Sequence, residues 1–436
     1  MRREFVVALL AALALSINHG ASAQFQNTIV VQRAFTVPPS NGSFTDAAIN
    51  CPAGYDAIAG GLDNVNSTTF EISDHAPTFS DVPLFQQPNG TRSAANGWHA
   101  SVINNDSASR QAVVSVVCAP SSGTVVVINS VTVTAAGASG PGSGYQQSDC
   151  PSGQVALSGG IDVAHPEAMK LVATSGFYPG TVNFILDLPP GQNPPPSGWS
   201  MLTSNQGPNT GLMKVAAICS SAPGVITMIS DLMTIQANTH LGIALSCPAG
   251  YVAIGGGFDT NAVDWLIATV DSPLYNNAPA RPADRSDGQY GAPTGWFADT
   301  FSHSTDGDRK LKSGVVCVPV RHGDVDLDGA YTAMTDGLLI MRYLFGSTGS
   351  QLVSNAIGNN AQRSDPTDIR NYLDSIRAQL DIDLNGHSDA LTDGLLIIRY
   401  LSGMRGSALL NGAIGPGATR QNSADVEAYL GTLFGP

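Results

Sequence analysis

Oxygen-bearing side chains stand at fixed intervals in two places near the end of this 436-residue chain. In DVDLDGAYTAMTDG, Asp324, Asp326 and Asp328 alternate with apolar residues and Gly329 follows. In DIDLNGHSDALTDG, Asp381, Asp383 and Asn385 precede Gly386. Oxygens at the first, third and fifth positions, with glycine sixth to allow a sharp turn, are what a loop wrapped around calcium requires. Position seven lends a backbone carbonyl, here from Ala330 and His387, and position nine, Thr332 or Asp389, often reaches the ion through water. An acid usually completes the set at position 12, but Thr335 and Thr392 stand there, and Asp336 and Asp393 come one residue later. The shared offset leaves two readings open: a loop one residue longer whose aspartate swings in, or a site that closes poorly. A third reading needs no ion and makes each stretch an acidic turn capping the next helix. Three hard oxygens within five residues repel one another without a cation, so the expectation is two structural calcium ions.

The elements that must position these loops are helical. The two copies align without a gap at an offset of 57 residues, pairing Asp336 with Asp393, Ile357 with Ile414, Arg363 with Arg420 and Tyr372 with Tyr429. After each loop the pattern predicts a helix with Met334, Leu338, Met341 and Leu344, or Leu391, Leu395, Ile398 and Leu401, near one face. Ile369, Tyr372, Leu373 and Ile376 predict a second helix, as do Val426, Tyr429, Leu430 and Leu433. Asp365 before Pro366 reads as a helix start.

A duplicated calcium loop followed by a helix resembles the type I dockerin family. The resemblance covers about 115 residues and rests on the two DxDx[DN]G loops, the LTDGLLIIRYL-type helices and the duplication. It implies two structural calcium ions and docking onto a cohesin-like or cell-surface protein, in a chain associated with polysaccharide. The acid at position 13 and the long segment GSALLNGAIGPGATRQNSADVEAYL depart from the family's pattern.

The preceding 300 residues carry a different signal. CPAGYDAIAGGLD from Cys51, CPSGQVALSGGID from Cys150 and CPAGYVAIGGGFD from Cys247 begin three copies of one unit. Each copy then has a Gly-Trp (Trp98, Trp199, Trp296) and a second cysteine (Cys118, Cys219, Cys317). The repeat makes 51–118, 150–219 and 247–317 the natural disulfides; no CxxC or Cys/His spacing offers zinc instead. Val, Ile and Thr runs broken by Gly, Pro and Asn predict antiparallel β-structure. The expected fold is mainly β: three disulfide-stapled, sandwich-like modules at 24–120, 121–220 and 221–320, then a small α-helical calcium-binding, dockerin-like domain at 321–436. The tryptophans are expected to anchor the core beside each disulfide, with ligand stacking as the alternative. The GGxD elements (Gly60–Asp63, Gly159–Asp162, Gly256–Asp259) read as tight turns capped by their aspartates rather than as phosphate loops.

Catalytic motifs are missing from the sequence: no GxSxG, no HExxH, no unpaired cysteine, and histidines (His75, His99, His165, His240, His303) that do not recur between copies. A net charge of −14 from only 12% charged residues argues against a nucleic-acid partner, which wants clustered Lys and Arg. Residues 1–23, with Arg2 and Arg3, an apolar run and Ala21-Ser22-Ala23, read as a secretory signal peptide. No later stretch is apolar for long enough to span a membrane. The expectation is an exported, non-catalytic binding or adhesive protein, secreted or held at the cell surface. A polysaccharide-active component and a purely structural surface protein remain as alternatives.

Overall fold

The computed structural model describes residue 25 and residues 28–435, apart from 41–42, 65–69, 121–122, 139, 180–183, 223, 249, 262–265, 276–277, 280–286, 304–308, 320, 329, 360 and 362. The signal peptide and Gly329 lie outside the described residues. The chain divides into a β unit, Asn27–Val318, and a helical unit that holds residues 319–435.

The three repeats do not form three separate modules. The β unit contains three eight-stranded antiparallel sheets, each built from two repeats. In one sheet Thr45–Asn50, Gly97–Asn104 and Phe70–Phe79 from the first repeat continue into Val155–Val163, Gly211–Ser220 and Val125–Val133 from the second. The same order joins the second repeat to the third and the third back to the first, so the exchange closes on itself. In the middle of each sheet the repeats meet at a single residue pair, His75 with Ile161, Thr174 with Phe258 or Asp271 with Leu62, and a short strand of the first partner also pairs at the far edge of the second. Sandwich-like modules confined to 24–120, 121–220 and 221–320 are therefore corrected to sheets shared between neighbours, because each repeat offers only half a sheet. The disulfides Cys51–Cys118, Cys150–Cys219 and Cys247–Cys317 form as expected. Each closes a loop of 67 to 70 residues, worth about 4 kcal/mol in the chain-entropy model.

The GGxD elements are not turns. They lie inside the strands Tyr55–Asn64, Val155–Val163 and Tyr251–Thr260. Glycine is required there by close approach on both sides. A Cβ on Gly60 would stand 2.3 Å from the Trp98 ring, and those on Gly159 and Gly256 2.2 Å from Trp199 and Trp296. A Cβ on Gly61 would meet the Asp271 carbonyl oxygen at 1.9 Å, and one on Gly257 the Thr174 carbonyl at 2.1 Å. The first glycine thus seats the buried tryptophan and the second admits the neighbouring repeat. Two of the aspartates do cap a turn, but each in the preceding repeat: Asp162 Oδ2 accepts from the Phe85 N–H at 2.6 Å, and Asp259 accepts from the Leu186 N–H. All three tryptophans are buried, Trp98 in a cluster that includes Cys51 and Cys118. That is the core role rather than the stacking one.

The helical unit packs the segments Leu338–Leu344, Pro366–Ser375, Leu395–Leu401 and Ser423–Phe434 around one apolar cluster. Asp365 caps the Pro366 helix as expected, accepting from Thr367 and Asp368 N–H. The second-helix residues Ile369, Leu373, Ile376, Val426, Leu430 and Leu433 are buried. The face assigned to the first helix of each copy is corrected in part: Leu338, Leu344, Leu395 and Leu401 are half-buried and pack against the cluster as expected. Leu339, Ile340 and Tyr343, with Leu396, Ile397 and Tyr400, fill the core, whereas Met334 and Leu391 are 71% and 70% exposed. The reason lies in the local backbone. Each helix begins with a wide turn of i→i+5 type, Ala333–Gly337 and Ala390–Gly394, which shifts the faces relative to a regular helix.

Candidate metal centre

Each acidic loop is closed by that wide turn. A turn of this type holds one residue more than an α-turn, and the extra residue carries Asp336 and Asp393 back over the loop from position 13. Asp336 Oδ1 accepts from Val325 N–H at 2.7 Å, and Oδ2 accepts from Thr332 N–H at 3.0 Å and the Thr335 hydroxyl at 2.9 Å. Asp393 repeats the set with Ile382 N–H at 2.6 Å, Asp389 N–H at 2.8 Å and Thr392 at 2.9 Å. In both copies the position-13 aspartate turns back onto the loop backbone; Asp393 comes within 4.8 Å of Asp381 and Asp383, whereas the group in the first loop is Asp324, Asp326 and Asp328. Asp381 accepts from Asn385 and Gly386 N–H at 3.1 and 2.8 Å, and Asp324 from Asp328 N–H at 3.2 Å, so the first-position carboxylates hold the loops in their curl.

Oxygens of Asp324, Asp326 and Asp328 lie within 4.8 Å of one another, as do those of Asp381, Asp383 and Asp393. Asp324, Asp326, Asp336, Asp383 and Asp393 are fully buried. Burial pushes Asp336 up to about 7, with the nearby Asp326 adding to the effect, and raises Asp326 and Asp393 as well. Buried, clustered carboxylates need a cation or protons, and Asp383 Oδ1 has no hydrogen-bond partner. This donor set of hard oxygens fits calcium. Ala330, Thr332, His387 and Asp389 stand at the loop positions that would supply a carbonyl or a water-linked ligand. Thr332 also accepts from Thr335 N–H at 3.1 Å, so in the first copy part of the loop serves as a helix cap; Asp389 in the second makes no such bond.

The long inserts have a local purpose that sequence reasoning missed. Gly358 N–H donates to Asp326 Oδ2 and Gly415 N–H to Asp383 Oδ2, both at 2.6 Å. Arg363 donates to the Val325 carbonyl at 2.6 Å and Arg420 to that of Ile382. Their guanidinium groups lie 3.8 Å from the ring centres of Tyr372 and Tyr429. The aligned Arg and Tyr pairs were the available signal. In each copy the insert folds back as a strap over its own loop.

The described residues of the β unit hold further polar features. At the repeat junctions Trp98 Nε1 donates to His75 Nδ1 at 3.3 Å, Trp199 Nε1 to Thr174 at 2.9 Å and Trp296 Nε1 to Asp271 at 2.5 Å. His75 Nε2 lies 3.1 Å from Asp271 Oδ2, and burial raises the Asp271 pKa against the pull of His75. A cavity of about 400 Å³ is lined by Glu71, Gln206, Ile267 and His303 among others. Glu71 there pairs with Lys170 at 2.7 Å.

Compared with known proteins, the chain matches no family model and no curated protein. Among the described residues no helix is long and apolar enough to cross a membrane.

Proposed function

We propose that this is an exported, non-catalytic binding protein whose helical unit is a calcium-stabilised, dockerin-like docking module. The observation that carries the reading is the duplicated strap: two acidic loops with the same inward acid, the same glycine N–H on the third-position aspartate and the same arginine on the loop backbone. At extracellular calcium of about a millimolar, sites of ~10⁻⁵ M affinity stay filled and hold an ion rather than sense one. At an extracellular calcium level 100 times the dissociation constant, each loaded site stabilises the fold by about 2.7 kcal/mol. Met334 and Leu391 support the docking role, because two large apolar side chains at equivalent positions are left exposed beside the loops. The partner in this reading is a cohesin-like or other cell-surface protein.

The test compares capture of cell-envelope proteins by the full chain and by a Met334→Glu/Leu391→Glu variant that keeps its calcium. Calcium-dependent capture of one discrete protein, lost in the variant, is expected. Equal capture by both, or capture unaffected by chelator, contradicts docking through this surface. Polysaccharide binding by the β unit is the second reading, favoured by the cavity beside Glu71 and His303, whose volume suits one or two sugar rings.

A further inference from the structure

Four adjacent strands of one sheet bring chemistry together that no repeat contains alone. Asp46 on Thr45–Asn50, His99 on Gly97–Asn104, Asp74 on Phe70–Phe79 and Asp162 on Val155–Val163 are successive across the sheet. Asp46 and Asp74 both stand opposite Ser101, and Asp162 follows Ile161, the partner of His75. These registers put the three carboxylates in one row, with His99 two residues from Ser101 on the same face. One oxygen from Asp74, one from Asp162 and one ring nitrogen of His99 lie within 4.8 Å of one another.

The distances are not those of a finished hydrogen-bond network. His99 Nε2 is 3.4 Å from Asp162 Oδ2, and Nδ1 is 3.5 Å from Asp46 and 3.8 Å from Asp74. Hydrogen bonds between such charged groups run about 2.7–2.9 Å. Asp74 is fully buried, yet neither of its oxygens has a hydrogen-bond partner, and neither does either nitrogen of His99, which is 4% exposed. Asp162 is 5% exposed and fixed from outside by the Phe85 N–H. Two ligands about 2.0–2.1 Å from one tetrahedral ion stand about 3.4 Å apart, which is the His99–Asp162 separation. The Asp46 side chain, 52% exposed, gives the cluster an edge toward solvent.

We propose that Asp74, His99 and Asp162 bind one zinc-class divalent cation, with Asp46 at the solvent edge of the site. One imidazole with two carboxylates is a borderline donor set, unlike the all-oxygen loops of the helical unit, and selects zinc or manganese over calcium. The site is particular to the junction of the first and second repeats. In the same registers the second repeat has Ser200 and Ala173, and the third has Phe297 and Val270. The GGxD aspartate is common to all three copies, and His99 with Asp74 converts one of them into a metal site.

The test is zinc uptake by the chelator-treated full-length protein, held in excess calcium so that the acidic loops are occupied. One zinc per chain is expected in the wild type, with affinity at least 100-fold weaker in His99→Gln and in Asp74→Asn. Zinc bound equally by wild type and both variants, or no uptake at all by the folded wild type, overturns the proposal. Should a variant fail to fold, wild-type crystals soaked in zinc give the answer at the zinc edge. An anomalous peak between His99 and Asp162 supports the site, and its absence leaves an imidazolium held among carboxylates and overturns the metal.

Discussion

At the residue scale the molecule depends on atoms that are missing and on charges that are buried. Gly61 lacks the Cβ that would strike the Asp271 carbonyl oxygen, and a backbone atom cannot move aside as a side-chain end can. Gly61→Ala should destabilise the β unit by about 3 kcal/mol or more, read from urea unfolding; a loss under 1 kcal/mol would show that the strands can separate. Asp259 is a second case. Burial pushes it up to about 7 from 3.8, and Asp187 adds to the rise. A raised pKa means that the folded state prefers the protonated form. Its contribution is therefore full below about pH 4 and lost as the pH climbs through 7, by at most about 4 kcal/mol. Asp259→Asn should flatten part of the fall in melting temperature between pH 4 and pH 8, and an unchanged slope would show that Asp259 titrates normally. Aspartates of the GGxD elements were legible in the sequence as caps. That they cap a neighbouring repeat was not, because nothing in a single copy records which turn lies against it.

At the scale of elements, the long insert explains itself once the strap is seen. Gly358 and Gly415 put a backbone N–H on Asp326 and Asp383, and a Cβ on Gly358 would stand 1.7 Å from Asp328 Oδ2. Gly358→Ala should weaken the first calcium site at least tenfold and leave the second unchanged, as two-site titration will report. Equal weakening of both sites, or of neither, contradicts a strap that serves its own loop. Helix existence, the Asp365 cap and the second-helix faces were readable from period and capping residues. The first-helix faces were readable only in part, Leu338, Leu344, Leu395 and Leu401 packing against the core and Met334 and Leu391 not, because a wide turn alters the count of residues per turn. The same turn accounts for where the offset acid goes: from position 13 it folds back to accept from N–H groups of its own loop.

At the scale of the whole molecule, three disulfides and three exchanged half-sheets make the repeats interdependent. Each repeat looks like a module in sequence because its cysteines and tryptophan are all local. Its sheet partner is another repeat, and long-range strand exchange leaves no mark on a period. The His75–Asp271 contact joins two of the repeats in the interior. Asp271→Ala removes the acceptor of Trp296 Nε1 and the carboxylate beside His75 Nε2 and should cost about 3–5 kcal/mol in unfolding of the entire β unit. Loss confined to one repeat would contradict the shared sheets. Whether the helical unit holds calcium is tested by calorimetric titration of the chelator-treated full-length protein. Two calcium ions per chain are expected, with dissociation constants of about 10 µM or below, one lost in Asp324→Ala and the other in Asp381→Ala. Absence of calcium heat in a folded chain, or the same two ions bound by both variants, would contradict that expectation.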